Sequence, residues 1–290
     1  MEVFTFEALG TKWNITIDDQ NLDEVTEGLI RRYIKDFEQR FSRFLPTSEV
    51  NQFREALPGK YQISLELRTM LEHAEKLRAL THGGYNVAVG KMLELAGYDQ
   101  EYSFEAKEGV KDIQLPGWSI EDGKLSIDGP AVFDLGGIAK GYCIDGVAQI
   151  LKMAHYRYFL VEAGGDMTGT IKKDGTGWRV ALEWPGQPDK AFGIIELTNQ
   201  AVAVSDGFRR RWQNWHHIVN PHKHRPVEEV LSCVAVASTA FTADCSTSGL
   251  FLVPGEDTFC TIGRAFQSEY VVFKNDGTLR VSPNWSGELF

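Results

Sequence analysis

The segment DLGGIAKGYCID, Asp134–Asp145, sets a carboxylate, a glycine pair, a lysine and a third glycine close together. Val132 and Phe133 read as the end of a strand and Ile138 onward as a helix, so Asp134–Gly137 is the turn between them. A strand, a glycine turn and a helix aim free backbone N–H groups at the positive end of the helix, where anions bind. Lys140, one turn inside, adds a point charge. The same residues also suit an ordinary tight turn with a solvated lysine, and local chemistry leaves both readings open. Two better-known phosphate motifs are excluded. The lysine precedes its glycine and Tyr142 follows, unlike G-x-x-x-x-G-K-[ST], and G-x-G-x-x-G is absent.

Three further stretches carry chemistry-bearing residues. FLVEAGGDMTG holds Gly164, Gly165 and Asp166, which alone read as a β-turn. WHHIVNPHKHRP holds His216, His217, His222 and His224. Strand alternation would put His216 and Ile218 on one face and His217 and Val219 on the other. A multi-histidine metal site is not expected, because Lys223 stands between two of the candidate ligands. In STAFTADCSTSGLFLV, Asp244 and Ser248 are four residues apart on one helix face, with Thr247 beside them. A carboxylate with hydroxyl and carbonyl oxygens suits Mg²⁺ rather than zinc. The plainer reading is an acid favoured by the helix dipole.

The elements that must position these residues follow from periodicity. Val3–Ala8 and Trp13–Asp18 alternate around Gly10-Thr11 as a hairpin. Leu22, Val25, Leu29, Tyr33, Phe37 and Phe41 predict an amphipathic helix from Asn21 to about Phe41, capped by Asn21 or Asp19. Ser64 caps a second helix with Leu67, Met70, Leu71, Ala74 and Leu77 inward, and Gly83 suits its end. Trp118–Asp128 is a hairpin around Asp122-Gly123. Helices follow over about Gly137–Met153 and Thr239–Val253, with strands between them, including His216–Asn220, and a closing hairpin at Asp276-Gly277. Hairpin-connected strands with segregated helices predict an α+β fold rather than a doubly wound parallel sheet.

Composition narrows the function classes. The 290 residues carry a net charge of −10, which argues against general nucleic-acid binding. The run Arg209–Arg211 reads as solvated surface. Cys143, Cys233, Cys245 and Cys260 form no C-x-x-C pair and read as free thiols. No apolar run approaches a membrane span. The N-terminal stretch has neither a basic n-region nor an apolar h-region. That predicts a cytoplasmic chain, or a periplasmic or membrane-associated one whose leader was removed.

Taken in order, these segments resemble the ApbE-type family, the FAD:protein FMN transferases. ALGTKW resembles its opening M-G-T segment, and SRFLPTSEVNQF its S-x-[YF]-x-x-x-S-E-[LV] segment. THGGYNVAVGKMLELAGYD resembles T-x-G-x-F-D-P-x-x-x-x-L, with Tyr85-Asn86 in place of F-D. DLGGIAKGYCID nearly repeats D-L-G-G-I-A-K-G-Y-x-x-D, the most specific signature. EAGGD, HHIVNP and TADCSTSGLFL resemble N-G-G-D, H-H-I-[IL]-[DN]-P and the A-D-x-x-x-[TS] helix. The resemblance runs over nearly the whole chain. It implies one T-fold-related catalytic domain over residues 1–290, of mixed, largely antiparallel sheets. It implies FAD as substrate, contacted by Leu9, Phe44, Gly84, Tyr85, Asn86, Asp134, Lys140 and Ile218, with Lys140 near the phosphates. It implies Mg²⁺ on the Gly137 carbonyl, Asp244, the Thr247 carbonyl and Ser248. The implied reaction moves FMN to a Thr or Ser hydroxyl of an acceptor protein and releases AMP. His217, with a pKa expected near 7, or Asp244 would handle the proton. Two other outcomes keep the same site: a Mg²⁺-dependent FAD pyrophosphatase, and a non-catalytic FAD-binding protein.

Overall fold

A computed structural model describes residues 2–253 and 255–290. Its centre is an eight-stranded sheet in which every neighbouring pair is antiparallel. The strands run, in spatial order, Glu2–Ala8, Thr11–Ile17, Phe159–Ala163, Asp166–Gly169, Gln200–Asp206, Val230–Ala237, Glu269–Lys274 and Leu279–Val281. Six α-helices are described: α1 (Glu24–Phe41), α2 (Leu65–Leu80), α3 (Gly90–Leu95), α4 (Ala139–Met153), α5 (Ala240–Leu252) and α6 (Glu256–Phe266). The larger apolar core joins Trp13, Ile15, Phe159 and Val161 of the sheet to Ile30, Leu67, Ile144 and Leu250 of the helices. A second core, with Val180, Leu182, Val202, Val234 and Val271, packs the hairpin Trp178–Trp184/Gln187–Leu197 against the same sheet. This is the predicted α+β arrangement.

Local chemistry explains the ends of the elements. Ser64 accepts from the Leu67 N–H and caps α2, whose buried residues are those read from spacing. Thr239 caps α5 in the same way through the Thr242 N–H. The first hairpin turns at Leu9-Gly10, one residue earlier than expected. Both have positive φ (53° and 65°), the pairing a two-residue hairpin requires.

Several expectations fail. Helix α1 starts at Glu24 with Asp23 as its cap, and it buries Ile30 and Ile34. Val25 and Leu29, expected inward, are exposed. A one-residue error turns a helical stripe by about 100°, and here both rows are apolar. The segment before the glycine turn is not a strand. It is extended chain pinned by Ala131 N–H to the Phe53 carbonyl (2.9 Å) and Asp134 N–H to the Val87 carbonyl (2.7 Å). The expected strand His216–Asn220 is two short pieces, Trp215–His216 and Val219–Asn220. Helices α3 and α6 were not foreseen.

Candidate active site

The glycine turn sits where α4 crosses α5. The first turn of α4 has no capping side chain of its own at Ile138. Its Gly141 N–H is instead taken by Asp244 Oδ2 of α5, at 2.8 Å. In return Asp145 of α4 accepts from the Ala240 and Phe241 N–H groups that open α5, both at 2.9 Å. The two helices thus cap each other, and Gly141 permits the approach: a Cβ there would lie 2.3 Å from the Ala240 carbonyl oxygen. Ser248 Oγ, one turn along α5, donates to the Gly137 carbonyl at 2.5 Å. A Cβ on Gly137 would sit 2.7 Å from that hydroxyl, so the close contact needs glycine. Residues more than a hundred positions apart in sequence thus bring the Ser248 hydroxyl onto the Gly137 carbonyl, with the Asp244 carboxylate one turn back on α5 and bound to Gly141.

Asp134 closes the turn by accepting the Gly136 N–H at 2.8 Å. Its other oxygen accepts from Arg43 Nε at 2.5 Å. Burial pushes the Asp134 carboxyl up, but the Arg43 charge and both hydrogen bonds outweigh it and hold the group below the usual carboxylate range. Asp244 goes the other way. Burial lifts it to about 6, against the opposing effects of Lys140 and the Gly141 N–H. The Lys140 ammonium is drawn down by burial to about 8, opposed by Asp244 and reinforced by Arg210 and Arg209. It remains a cation at neutral pH, in contact with the Asp166 carboxylate. Asp166, 1% exposed, is itself fixed by the Val204 N–H at 2.9 Å.

These groups line one cleft of about 650 Å³, a size typical of small-molecule and cofactor sites. Asp134, Gly137, Lys140, His217, Asp244 and Ser248 all face it, as do Leu9, Phe44, Gly84, Tyr85, Asn86 and Ile218. Thr247 does not. Its carbonyl accepts from the Cys233 thiol at 3.2 Å, and its hydroxyl bonds Ser205 and the Asp244 carbonyl. Asn86 Oδ1 is used structurally, accepting the Ala88 N–H and Trp118 Nε1–H. The run Arg209–Arg211, expected to be plain surface, lines the cleft. An acidic protein thus gathers Arg43, Lys140 and three further arginines around one opening.

Among the described residues, six buried side-chain polar atoms have no hydrogen-bond partner within the protein. Three of them, Arg43 Nη1, Tyr85 Oη and His217 Nδ1, belong to residues of this cleft. Buried polar atoms are paired as a rule, and unpaired ones concentrate where a ligand completes the set.

The histidines separate by role. His216 is structural: Nδ1 accepts from the Ile218 N–H and Nε2–H donates to the Val227 carbonyl, at 3.2 and 2.8 Å. His222 and His224 bond the carbonyls of His82 and Lys111. No cluster of three or more His, Cys, Asp or Glu suited to a metal occurs among the described residues. His217 alone faces the cleft. Its pKa is not near 7: burial, then Arg210 and His216, push it down to about 4. The imidazole is neutral at pH 7, with an open nitrogen.

That shift predicts acid sensitivity. The unfolded chain protonates His217 near 6.5, and the folded chain resists until about 4. Stability from this group is fully present above about 6.5 and is lost as pH falls toward 4, by up to about 3 kcal/mol. Urea midpoints measured from pH 7 to 4.5 should fall less steeply for His217→Gln than for the parent; identical slopes would remove His217 from the account.

Arg43 and the ion pair between Lys140 and Asp166 were not foreseen. Arg43 occupies the unspecified position of its motif, and nothing in the sequence pairs it with Asp134. The only hint for Asp166 was its glycine pair.

Comparison with known proteins agrees with this geometry. Residues 9–269 match the model of the ApbE family. A FAD:protein FMN transferase of Vibrio cholerae is 28% identical, over 90% of this chain and 83% of its own. One from Haemophilus influenzae is 28% identical, over 87% and 80%. The solved structure of the flavin transferase ApbE from Vibrio cholerae is 25% identical and covers 97% of both chains with a TM-score of 0.81. The ApbE protein of Thermotoga maritima, 24% identical, shares the fold with a TM-score of 0.83 over 97% of both chains. The chain therefore belongs to the ApbE family.

Proposed function

We propose that this protein is an FAD:protein FMN transferase that moves FMN from FAD to a Ser or Thr hydroxyl of an acceptor protein and releases AMP. The observation that carries this reading is one cationic cleft in which Tyr85 Oη and His217 Nδ1 have no hydrogen-bond partner, lined also by Gly137, Asp244 and Ser248. Relatives that carry this activity in their names match nearly the whole chain.

The chemistry divides among named residues. The acceptor oxygen attacks the phosphorus of the FMN half. A new P–O ester bond forms, the bond to the bridging oxygen breaks, and AMP leaves with that oxygen. Lys140 and the arginine rim neutralise charge on the phosphoryl oxygens, the term that dominates such transfers. Neutral His217 receives the hydroxyl proton. Asp134, fixed by Arg43, holds the glycine turn in shape. Asp244, Ser248 and the Gly137 carbonyl are hard oxygen donors lining the same cleft, a donor set whose chemistry suits Mg²⁺. Bound there, Mg²⁺ would supply further neutralisation of the pyrophosphate.

The test is incubation with FAD and Mg²⁺, with and without candidate acceptor proteins, measuring AMP, free FMN and flavin that survives denaturation. Acceptor-dependent AMP with matching covalent flavin is expected, and EDTA should abolish it. AMP with equal free FMN regardless of acceptor would replace the transferase by a pyrophosphatase. Bound FAD without AMP would mean a binding protein.

A further inference from the structure

The sheet has a second cavity, of about 310 Å³, on the side of the hairpin Trp178–Trp184/Gln187–Leu197. Its floor is apolar, with Met167, Val180, Leu182, Val202 and Val234. Two aromatic side chains line it while staying well exposed, Trp184 at 42% and Phe208 at 36%. None of these residues belongs to the FAD cleft.

Two features make this more than a dimple. First, the cavities share a wall: Val204, Asp206 and Arg209 line both. Arg209 forms the partition. Its guanidinium reaches Glu183 at 2.5 Å on the hairpin and the Gly164 carbonyl at 3.2 Å on the cleft side. Asp206 fixes the turn that carries both side chains, accepting the Phe208 and Arg209 N–H groups at 2.8 and 2.9 Å. Second, among the described residues strand Trp178–Trp184 is the edge of its three-stranded sheet, paired only with Gln187–Leu197. Its residues 180–184 line the cavity consecutively, so the backbone itself forms a wall. An edge strand presents unpaired N–H and C=O groups that an extended chain can take up.

We propose that this groove receives the acceptor protein, as an extended segment added to the free edge of strand Trp178–Trp184. The segment lies between Trp184 and Phe208 over the apolar floor and passes Arg209, which brings its Ser or Thr hydroxyl into the FAD cleft. The inference rests on the transferase reading above and adds where the second substrate comes from. Five residues of edge cover about 17 Å of extended chain, enough to fix the register of the hydroxyl by backbone pairing. Side-chain selection would come from the aromatic pair and the floor.

The probe is a set of short synthetic peptides, each with one central Thr or Ser and varied flanks, given to the full protein with FAD and Mg²⁺. Covalently flavinylated peptides are expected, and their binding should slow hydrogen exchange over residues 180–184. Trp184→Glu and Phe208→Glu, both exposed changes, should each raise the peptide KM by about tenfold or more. FAD affinity and AMP release to water should stay as in the parent. Unchanged KM in both variants, or unchanged exchange at the edge, would overturn the groove while leaving the transferase intact. So would AMP release with no peptide labelled, because an extended segment would then not suffice. A parent dimer that Phe208→Glu converts to monomer would also overturn it, giving the groove to a second copy. No AMP under any condition would sink the transferase reading, and this inference with it.

Discussion

Asp244→Asn should lower FAD turnover by about 10²–10³-fold, the range seen when one preorganised electrostatic group is removed from a transition state. The substitution is chosen to separate charge from architecture. Asp244 is 4% exposed and accepts the Gly141 N–H that would otherwise be unpaired in the first turn of α4. Asparagine keeps an acceptor oxygen there, so the mutual capping of α4 and α5 survives. What it removes is the anion beside the Gly137 and Ser248 oxygens, and with it the charge that the proposed Mg²⁺ would need. Asp244→Ala would remove both, leaving a buried N–H unsatisfied at about 1–3 kcal/mol. AMP release against Mg²⁺ concentration, with denaturation curves for both variants, checks the claim. Parent-like, Mg²⁺-dependent turnover in Asp244→Asn would remove Asp244 from the reaction.

The sequence made individual elements legible more readily than the contacts between them. Ser64 and Thr239 announce helix starts because a cap is a local event, decided within three residues. The motif residues Asp134, Gly137, Lys140, His217, Asp244 and Ser248 could be picked out by their order along the chain, and the fold brings all of them to one cleft. Partnerships were hidden. Asp145 ends its motif without any local reason, and only the crossing of α4 and α5 shows that it caps the opposite helix. Thr247 adjoins Ser248 in sequence, but the 100° of helix between them turns its carbonyl to the Cys233 thiol and its hydroxyl to Ser205 and the Asp244 carbonyl. His217 misled through its ordinary pKa, since the burial and the Arg210 charge that lower it are tertiary facts. The arginine run misled for the same reason: surface and cleft rim look alike in a string of charges.

Arg43→Leu should cost about 3 kcal/mol of stability, because it strands a carboxylate that is only 16% exposed. Arg43 is 4% exposed, stacked on Phe44 with its guanidinium carbon 4.1 Å from the ring centroid. It donates to Asp134 at 2.5 Å and to the Tyr98 carbonyl at 2.6 Å. Without it, no cation among the described residues contacts Asp134, whose desolvation would then drive it toward protonation or outward motion. Either change disturbs the Asp134–Gly136 hydrogen bond that shapes the turn. The double variant Arg43→Leu/Asp134→Asn decides between two origins of the loss. If the loss is the stranded charge, Asn restores much of it, since a neutral amide still accepts the Gly136 N–H. If the loss is the packing of the guanidinium between Phe44 and Tyr98, the double variant is no better than the single one. Urea unfolding of the four proteins in the cycle measures the coupling directly. Recovery by Asn is the expected result, because the ion pair holds Asp134 ionised against a burial that favours the neutral acid. The shape of the cleft then depends on a residue its own motif leaves unspecified. Near-additive losses would reduce Arg43 to a packing residue and leave Asp134 to be held by its Gly136 bond alone.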